Sequence, residues 1–503
     1  MQLSKKNIEQ IQPVPGLVLP EKNVFDLPEK VLQFGTGVLL RGLPDYFIDK
    51  ANRQGIFNGR IVVVKSTAAG GADAFDRQDG LYTLCVRGIE QGKQVEENIV
   101  HAAISRVLSA ASAWEEILAC AANPDMQVVI SNTTEVGITL VRESIYHVPP
   151  SSFPGKLLAF LYKRYETFGG NAGKGMVILP AELITDNGKK LKEIVLELAA
   201  FNQLGDGFIT WLREHNYFCN TLVDRIVPGR LPATEQQQTE EALGYSDELM
   251  IMSEAYRLWA IEAARPEVQE ILSFAKADAG VVITDDITRF KELKLRLLNG
   301  SHTFTCALAL LQGFTTVKEA MADKGFVSFI RLLMEEEIVP AITGGAISRE
   351  EAVRFAHDVL DRYRNPCLEH EWSSIAVQYT SKMRLRCLPL IRRYYEQTGR
   401  LPEKMARGFA AYLLWARSRH SGAGTYEVSL NGKKYALNDQ YAPVLAGHWA
   451  AQTYAEALVK AVVADEQLWG NELPALPGWA EMVGREINAL QNEYLSDLTL
   501  IIK

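Results

Sequence analysis

The first half of the chain alternates short apolar runs with amphipathic stretches. Four apolar runs stand out, at residues 31–34, 61–65, 127–131 and 176–179. Runs this short are typical of strands that are buried on both faces in a parallel sheet. The stretches between them, such as residues 110–121, have the pattern of helices. The alternation therefore predicts a doubly wound α/β domain.

From about residue 286 the pattern changes to long amphipathic stretches, which are typical of helices. We expect one domain over residues 1–285 and a second, mostly helical domain over residues 286–503, because the chain exceeds the size of one ordinary core. The helices of the second domain are predicted at residues 291–312, 350–362, 386–398, 403–417 and 450–465.

The composition narrows the class of protein. With 47% apolar and 23% charged residues the chain resembles a soluble globular protein, and its net charge of −8 is unfavourable for a nucleic acid as the main partner. No apolar stretch of about 18 residues is present, so no membrane span is expected. The six cysteines are scattered, which fits a reduced, cytoplasmic protein and argues against a zinc site. No pattern predicts the oligomeric state.

A glycine loop follows the first predicted strand, at Gly35, Thr36 and Gly37. Glycines at this place let backbone N–H groups approach a pyrophosphate. The third glycine of the G-x-G-x-x-G pattern is absent, since Leu40 stands there. Arg41 could assist a phosphate or lie on a helix surface. The loop thus indicates a dinucleotide site without proving one.

The second predicted strand ends at Lys65, where an NAD site usually has an acidic residue that binds the ribose. Lys65 would suit the 2′-phosphate of NADP, or its amine could simply extend to solvent. The residues therefore leave NADP open beside NAD.

The most informative segment begins at Lys294 and continues to Asn299 and His302. On a helix that turns roughly 100° per residue, the three side chains project at about 0°, 140° and 80°. A lysine, an amide and an imidazole on one side can hold a substrate oxygen beside a proton donor. The alternative is a solvated lysine next to an Asn-Gly helix cap.

Taken in order, these motifs resemble those of the mannitol dehydrogenase family of polyol-specific long-chain dehydrogenases. The matching segments are residues 35–42 (Gly-Thr-Gly-Val-Leu-Leu-Arg-Gly), 78–84 (Gln-Asp-Gly-Leu-Tyr-Thr-Leu), 133–137 (Thr-Thr-Glu-Val-Gly), 187–188 (Asn-Gly), 223–228 (Val-Asp-Arg-Ile-Val-Pro), 294–302 (Lys-x4-Asn-x2-His) and 365–366 (Asn-Pro).

The resemblance implies a Rossmann-type N-terminal domain that binds NAD and a helical substrate domain. It also implies metal-independent hydride transfer between NAD and the alcohol of a sugar alcohol or sugar acid. Lys294 would be the catalytic acid/base, and Asn299 and His302 would orient the reacting oxygen. Asp224 and Lys382 match substrate-side positions. Phe34, Thr134 and Glu135 would join the glycine loop, Arg41 and Lys65 on the cofactor side.

Two segments depart from the pattern of polyol-oxidising members. Glu182 and Leu183 replace an Asp-Asn pair, and His370 and Glu371 replace Asp-Thr. We expect Glu182 and His370 to contact the substrate. These segments resemble the branch of the family that acts on keto sugar acids, which implies reduction of D-tagaturonate to D-altronate in hexuronate catabolism. Fructuronate, mannitol and mannitol-1-phosphate stay open as substrates, and so does a regulatory protein that kept the fold without the activity.

An anionic substrate needs cations, and residues 380–420 contain ten Lys or Arg against two acids. In an extended segment Lys382, Arg384 and Arg386 would share one face. Arginine suits a carboxylate because its guanidinium can bind both oxygens. We expect Lys382, with Arg384 or Arg386, to bind the substrate carboxylate beside His370. The alternative is a solvated basic helix face.

Overall fold

The computed structural model describes residues 1–66, 73–133, 137–422, 424–470 and 476–494. The chain divides into two compact units: unit 1 comprises residues 1–88 and 94–287, and unit 2 comprises residues 89–93 and 288–503. The sequence placed the boundary after residue 285, two residues before the observed division. It did not predict that residues 89–93 group with the second unit.

Unit 1 is built on a six-stranded sheet in which every neighbouring pair is parallel. Its strands, in chain order, are β1 (Glu29–Phe34), β2 (Arg60–Lys65), β3 (Ile104–Ser109), β4 (Val128–Ser131), β5 (Val177–Pro180) and β6 (Tyr217–Phe218). The order across the sheet is β3-β2-β1-β4-β5-β6. This is the order of dinucleotide-binding folds, in which the ligand lies where the strand order reverses, here between β1 and β4. The predicted α/β fold is confirmed.

The predicted strands are apolar throughout because each face of the sheet carries its own hydrophobic core. Val31 and Val63 belong to one buried cluster, and Leu32, Phe34 and Val62 belong to the other. Since successive side chains of a strand point to opposite faces, both sets must be apolar. The α-helices that accompany this unit are Val38–Gly42, Pro44–Arg53, Asp73–Arg77, Trp114–Ala119, Phe153–Thr167, Asn187–Phe201, Asp206–His215, Ala233–Leu243 and Pro266–Ile271.

Two smaller sheets of unit 1 were not predicted. One orders Leu17–Val18, Lys93–His101, Tyr82–Glu90 and Ile251–Glu254, and the other orders Thr221–Asp224, Leu258–Glu262 and Val281–Thr284. Several of these strands are far apart in sequence, so their pairing depends on tertiary contacts that a local pattern does not reveal.

Unit 2 is mostly helical, as predicted. Its α-helices are Thr288–Leu293, Asn299–Leu311, Val317–Ala320, Lys324–Leu332, Val339–Ile342, Arg349–Tyr363, Trp372–Ile375, Tyr379–Lys382, Leu388–Thr398, Glu403–Trp415, Ala442–Ala451, Ala455–Val463, Glu466–Trp469 and Trp479–Tyr494. Three π-helical segments interrupt this pattern, at Lys294–Leu298, Leu333–Ile338 and Met383–Cys387.

An antiparallel sheet of three strands, Arg419–Gly422, Thr425–Leu430 and Lys433–Ala436, also belongs to unit 2 and was not predicted. Within the described parts of the chain, none of the helices combines the length and the apolar character that crossing a membrane would require.

Candidate active site

The glycine loop of unit 1 has room for a phosphate group. Gly35 adopts φ +127°, and a Cβ there would lie 3.2 Å from the Asn132 carbonyl oxygen, so a larger residue would be strained. A Cβ on Gly37 would have no described atom within 4 Å. The helix Val38–Gly42 begins directly after Gly37. The Gly35 N–H donates to the Val64 carbonyl at 3.0 Å, whereas the space beside Gly37 is open and lies directly before a helix, an arrangement that fits the pyrophosphate of a dinucleotide.

The other residues predicted for the cofactor have varied surroundings. Phe34 is a core residue at the end of β1, with its ring centroid 5.1 Å from that of Phe153. Arg41 is buried, and its Nη1 donates to the Leu249 carbonyl at 2.7 Å. Arg41 therefore does not lie on a helix surface, which was one of its two predicted positions, and its contact with phosphate stays a prediction. Lys65 is buried at the end of β2. Thr134 and Glu135 lie outside the described residues.

Glu182, predicted to contact substrate, follows β5 in the sequence and is buried. Its carboxylate accepts hydrogen bonds from residues at the end of β4. One carboxylate oxygen accepts hydrogen bonds from the Thr133 N–H and hydroxyl, both at 2.9 Å. The other accepts from the Ser131 hydroxyl at 3.1 Å. These contacts order the segment that follows β4, at the edge of the sheet where the strand order reverses.

Sequence reasoning missed the role of Asn187. Its Nδ2 donates to the carbonyls of Pro180, Glu182 and Thr221, and its Oδ1 accepts from the Thr221 N–H. The buried amide therefore joins β5 to the strand that ends at Asp224, which is itself buried. The Asn-Gly pair was only a family marker in the sequence. The available signal was the position of this pair a few residues after the apolar run at 176–179, since asparagine side chains commonly bond to nearby backbone groups where a strand ends and a helix begins.

The Lys294 segment of unit 2 is π-helical, and this changes the predicted geometry. The Asn299 N–H donates to the Lys294 carbonyl, which is an i,i+5 hydrogen bond. Such a turn contains one more residue than an α-helical turn. Asn299 therefore lies one turn above Lys294 on the same face, and not the predicted 140° away. His302 follows three residues later in the α-helix Asn299–Leu311. The three side chains share one side more closely than the sequence indicated.

Side-chain hydroxyls add hydrogen bonds to the carbonyls at the end of the π-helical segment. The Tyr363 hydroxyl donates to the Leu298 carbonyl at 2.9 Å, and the Ser301 hydroxyl donates to the Leu297 carbonyl. Buried backbone groups without such partners would destabilise the fold. These contacts stabilise the π-turn. Segments of this kind are often found at functional sites.

His302 is buried among aromatic rings and cations. Its ring stacks on Tyr363 at 4.1 Å and meets the rings of His370 and Trp372 edge-on at 5.3 and 5.8 Å. Burial, followed by the charges of His370 and nearby cations, holds the pKa of His302 well below its ordinary value. Its Nε2 has no hydrogen-bond partner among the described atoms. A buried imidazole with an unsatisfied nitrogen is suited to a substrate oxygen.

The structure brings Lys382 and Arg386 near His302, together with Arg362, since the charges of all three act on its pKa. The Lys382 amine donates to the Ile375 carbonyl at 2.8 Å, and burial lowers its pKa. The Arg386 Nη1 lies 3.4 Å from the Thr303 hydroxyl.

Arg384 is not brought to this group. Its guanidinium lies beside Gly470, where an added Cβ would be 2.8 Å from Nη2. The segment is helical and not extended, so Lys382 and Arg386, four residues apart, share a face that Arg384 does not.

Comparison with known proteins identifies the family. The Mannitol dehydrogenase Rossmann domain matches residues 29–271, and the Mannitol dehydrogenase C-terminal domain matches residues 286–491. An altronate oxidoreductase of Halalkalibacterium halodurans is 42% identical over 78% of this chain and 76% of its own length. The chain belongs to the mannitol dehydrogenase family.

Other members of the family support this assignment. An altronate oxidoreductase of Bacillus subtilis is 37% identical over 93% of this chain and 94% of its own. A solved structure of Pseudomonas fluorescens mannitol 2-dehydrogenase with NAD and D-mannitol has a TM-score of 0.67 at 23% identity, covering 99% of this chain and 98% of that one. A D-sorbitol dehydrogenase structure reaches 0.78 at 19% identity with the same coverage. At these identities the two structures confirm the fold.

Membership of the mannitol dehydrogenase family makes the protein a dehydrogenase or reductase of the NAD type, as the sequence predicted. Among the described residues, no three or more His, Cys, Asp or Glu side chains are grouped so that they could hold a metal ion.

Proposed function

We propose that this protein interconverts D-tagaturonate and D-altronate with NAD as cofactor and without a metal ion. The observation that carries the proposal is the chemistry around His302. An unsatisfied histidine nitrogen, the Lys294-Asn299 turn and the cations Lys382 and Arg386 belong to one unit. A keto sugar acid needs both functions: a proton donor for its carbonyl and a cationic site for its carboxylate. The names of the altronate oxidoreductase relatives support the same substrate.

Lys294 is the proposed acid in the direction of reduction. When bound, NADH supplies the hydride to the carbonyl carbon. The C=O bond becomes a C–O single bond, and the Lys294 ammonium transfers a proton to the resulting alkoxide oxygen and becomes the neutral amine. Hydrogen bonds donated by the Asn299 amide and a His302 N–H stabilise the negative charge while it develops. In the direction of oxidation the neutral lysine accepts the same proton.

Lys382 and Arg386 are proposed to bind the substrate carboxylate, with His370 beside them. Burial, then the charges of Lys382 and Arg362, lowers the pKa of His370, so this ring is neutral near pH 7. It can donate a hydrogen bond without adding a further charge. Glu182 and Asp224 belong to unit 1, and the contacts of Glu182 support a role in ordering Thr133.

The protein is proposed to serve hexuronate catabolism in the cytoplasm. All six cysteines are free thiols in the structure, which supports this compartment because cytoplasmic proteins seldom contain disulfides.

A substrate panel tests the proposal. The wild-type enzyme is assayed with tagaturonate, fructuronate, fructose and fructose-6-phosphate, each with NADH and with NADPH. We expect kcat/KM with NADH to be higher for tagaturonate than for any other member of the panel. The advantage over fructose should be about tenfold or more, since fructose lacks the carboxylate and one well-placed charged contact is worth about that factor. A preference for fructuronate or for the phosphate ester would contradict the assignment. Nicotinamide fluorescence that reports NADH binding without turnover of any substrate would indicate a regulatory protein.

A further inference from the structure

Arg296 is a buried cation that the proposed chemistry does not use. It lies two residues after Lys294, inside the same π-helical segment. Its Nη1 donates to the carbonyls of Leu385 and Arg386, at 2.7 and 3.0 Å. One guanidinium nitrogen therefore ties the segment of Lys294 to the π-helical segment Met383–Cys387, which contains Arg386.

Pro389 explains why one of those carbonyls is available. In an α-helix the Leu385 carbonyl would accept from the N–H of residue 389, but proline has no N–H and its ring would collide with that carbonyl. The chain instead forms a wider turn, in which the Leu388 N–H donates to the Met383 carbonyl. Arg296 supplies the missing donor to Leu385 from another helix. A buried carbonyl without a partner would destabilise this turn.

Glu292 orients the guanidinium. The Arg296 Nε lies 3.2 Å from one Glu292 carboxylate oxygen, and the Arg393 Nη1 donates to the same oxygen at 2.9 Å. The hydrogen bonds and charges of Arg296 and Arg393 outweigh burial and lower the pKa of Glu292, so the carboxylate is ionised at neutral pH. A charged acceptor in contact with Nε leaves Nη1 directed at the two carbonyls.

We infer that Arg296 is a positioning residue: its guanidinium fixes the segment of the acid Lys294 relative to the segment of Arg386 without touching substrate. The inference rests on the proposed function of Lys294 and Arg386. Displacing a catalytic group by about 1 Å can reduce a rate about 100-fold, so a bond between the two segments matters for turnover.

The test compares Arg296→Ala, Arg296→Lys and the control Arg393→Ala, which removes a neighbouring partner of Glu292 but leaves the bonds to Leu385 and Arg386. We expect R296A to lower kcat about 100-fold while NADH affinity, measured by nicotinamide fluorescence, stays within about twofold. R296K restores one hydrogen-bond donor, and its kcat should be at least about tenfold higher than that of R296A. R393A should retain kcat within about twofold. Equal kcat in R296A and wild type, or equal losses in R296A and R393A, would overturn the inference.

Repeating R296A in a Pro389→Ala variant separates a positioning role of Arg296 from a general loss of stability. Pro389→Ala returns an N–H at residue 389, so the Leu385 carbonyl no longer depends on Arg296. The inference predicts that R296A costs at least fivefold less in kcat when P389A is present. An undiminished loss in that background would overturn it, because a merely destabilising substitution has no reason to depend on residue 389.

Hydrogen exchange makes the outcome independent of the substrate. Amides in peptides covering residues 383–392 should exchange at least about tenfold faster in R296A than in R393A, since opening of the turn is local. Unchanged exchange there would contradict the inference even in an active enzyme. If the wild type reduces another member of the panel in place of tagaturonate, the proposed substrate fails, and the comparison of variants is made with that member.

Discussion

At the scale of single residues, His302 shows how surroundings define a chemical role. Its burial and the nearby cations keep the imidazole neutral. A neutral imidazole carries one N–H, and Nε2 is the nitrogen without a described partner. The residue type and its spacing from Lys294 were visible in the sequence. The stacked Tyr363 and the charges that depress the pKa come from remote segments, so no local pattern could predict them.

Asp45 gives a residue-scale prediction of pH dependence. This carboxyl is fully buried, the Gln33 Nε2 lies 3.4 Å from one of its oxygens, and burial raises its pKa to about 8. The folded state therefore retains a proton that the unfolded chain loses near pH 4. Because the folded state binds more protons, the free energy of unfolding contributed by Asp45 falls as pH rises from about 4 to about 8.

Asp45→Asn should therefore gain stability relative to wild type as pH increases. The asparagine amide is neutral at every pH, so the variant does not lose stability as pH rises in the way that the buried carboxyl does. We expect the melting temperature of D45N minus that of wild type to be larger at pH 8 than at pH 5. The exposed Asp76→Asn serves as the matched control and should show no such trend. The same difference at both pH values would mean that Asp45 is already ionised in the folded protein.

At the scale of elements, the sequence predicted the strands of the large sheet well. It did not predict the π-helical turns, which change the direction in which the following side chains project from a helix. β1, β2, β4 and β5 were visible because both faces of the sheet are apolar. The π-turn at Lys294 was not, because the turn contains no proline and the Tyr363 hydroxyl that bonds to the Leu298 carbonyl comes from a helix far away in the sequence. Two other π-segments precede Pro340 and Pro389, and those prolines were the available signal.

The helical conformation of the basic segment separates Arg386, the arginine proposed to bind the substrate, from Arg384. Arg386 lies four residues from Lys382, and its charge lowers the pKa of His302. Arg384 lies beside Gly470. We expect Arg386→Ala and Lys382→Ala each to raise KM for tagaturonate about tenfold or more, since a charged hydrogen bond contributes about 1.5–3 kcal/mol. Arg384→Ala, the matched control, should leave KM within about twofold. Steady-state assays check this, and an equal effect of R384A and R386A would place the carboxylate elsewhere.

At the scale of the whole molecule, the residues proposed to bind NAD and the residues proposed to transfer the proton lie in different units. The glycine loop and the strand ends predicted for NAD lie in unit 1, and Lys294, Asn299 and His302 lie in unit 2. The sequence placed the boundary between the units within two residues of the observed division, because the change from short apolar runs to long amphipathic stretches is strong. The small sheets, whose strands pair over long distances in sequence, were beyond it.

This division permits the most direct test of the account. In Lys294→Ala, NADH binding and turnover of tagaturonate are measured on the same preparation, by nicotinamide fluorescence and by steady-state oxidation of NADH. The account predicts NADH affinity within about twofold of wild type. It predicts turnover lower by about 100- to 10,000-fold, the range expected on losing a general acid. Near-normal turnover in K294A would contradict the central claim that Lys294 transfers the proton.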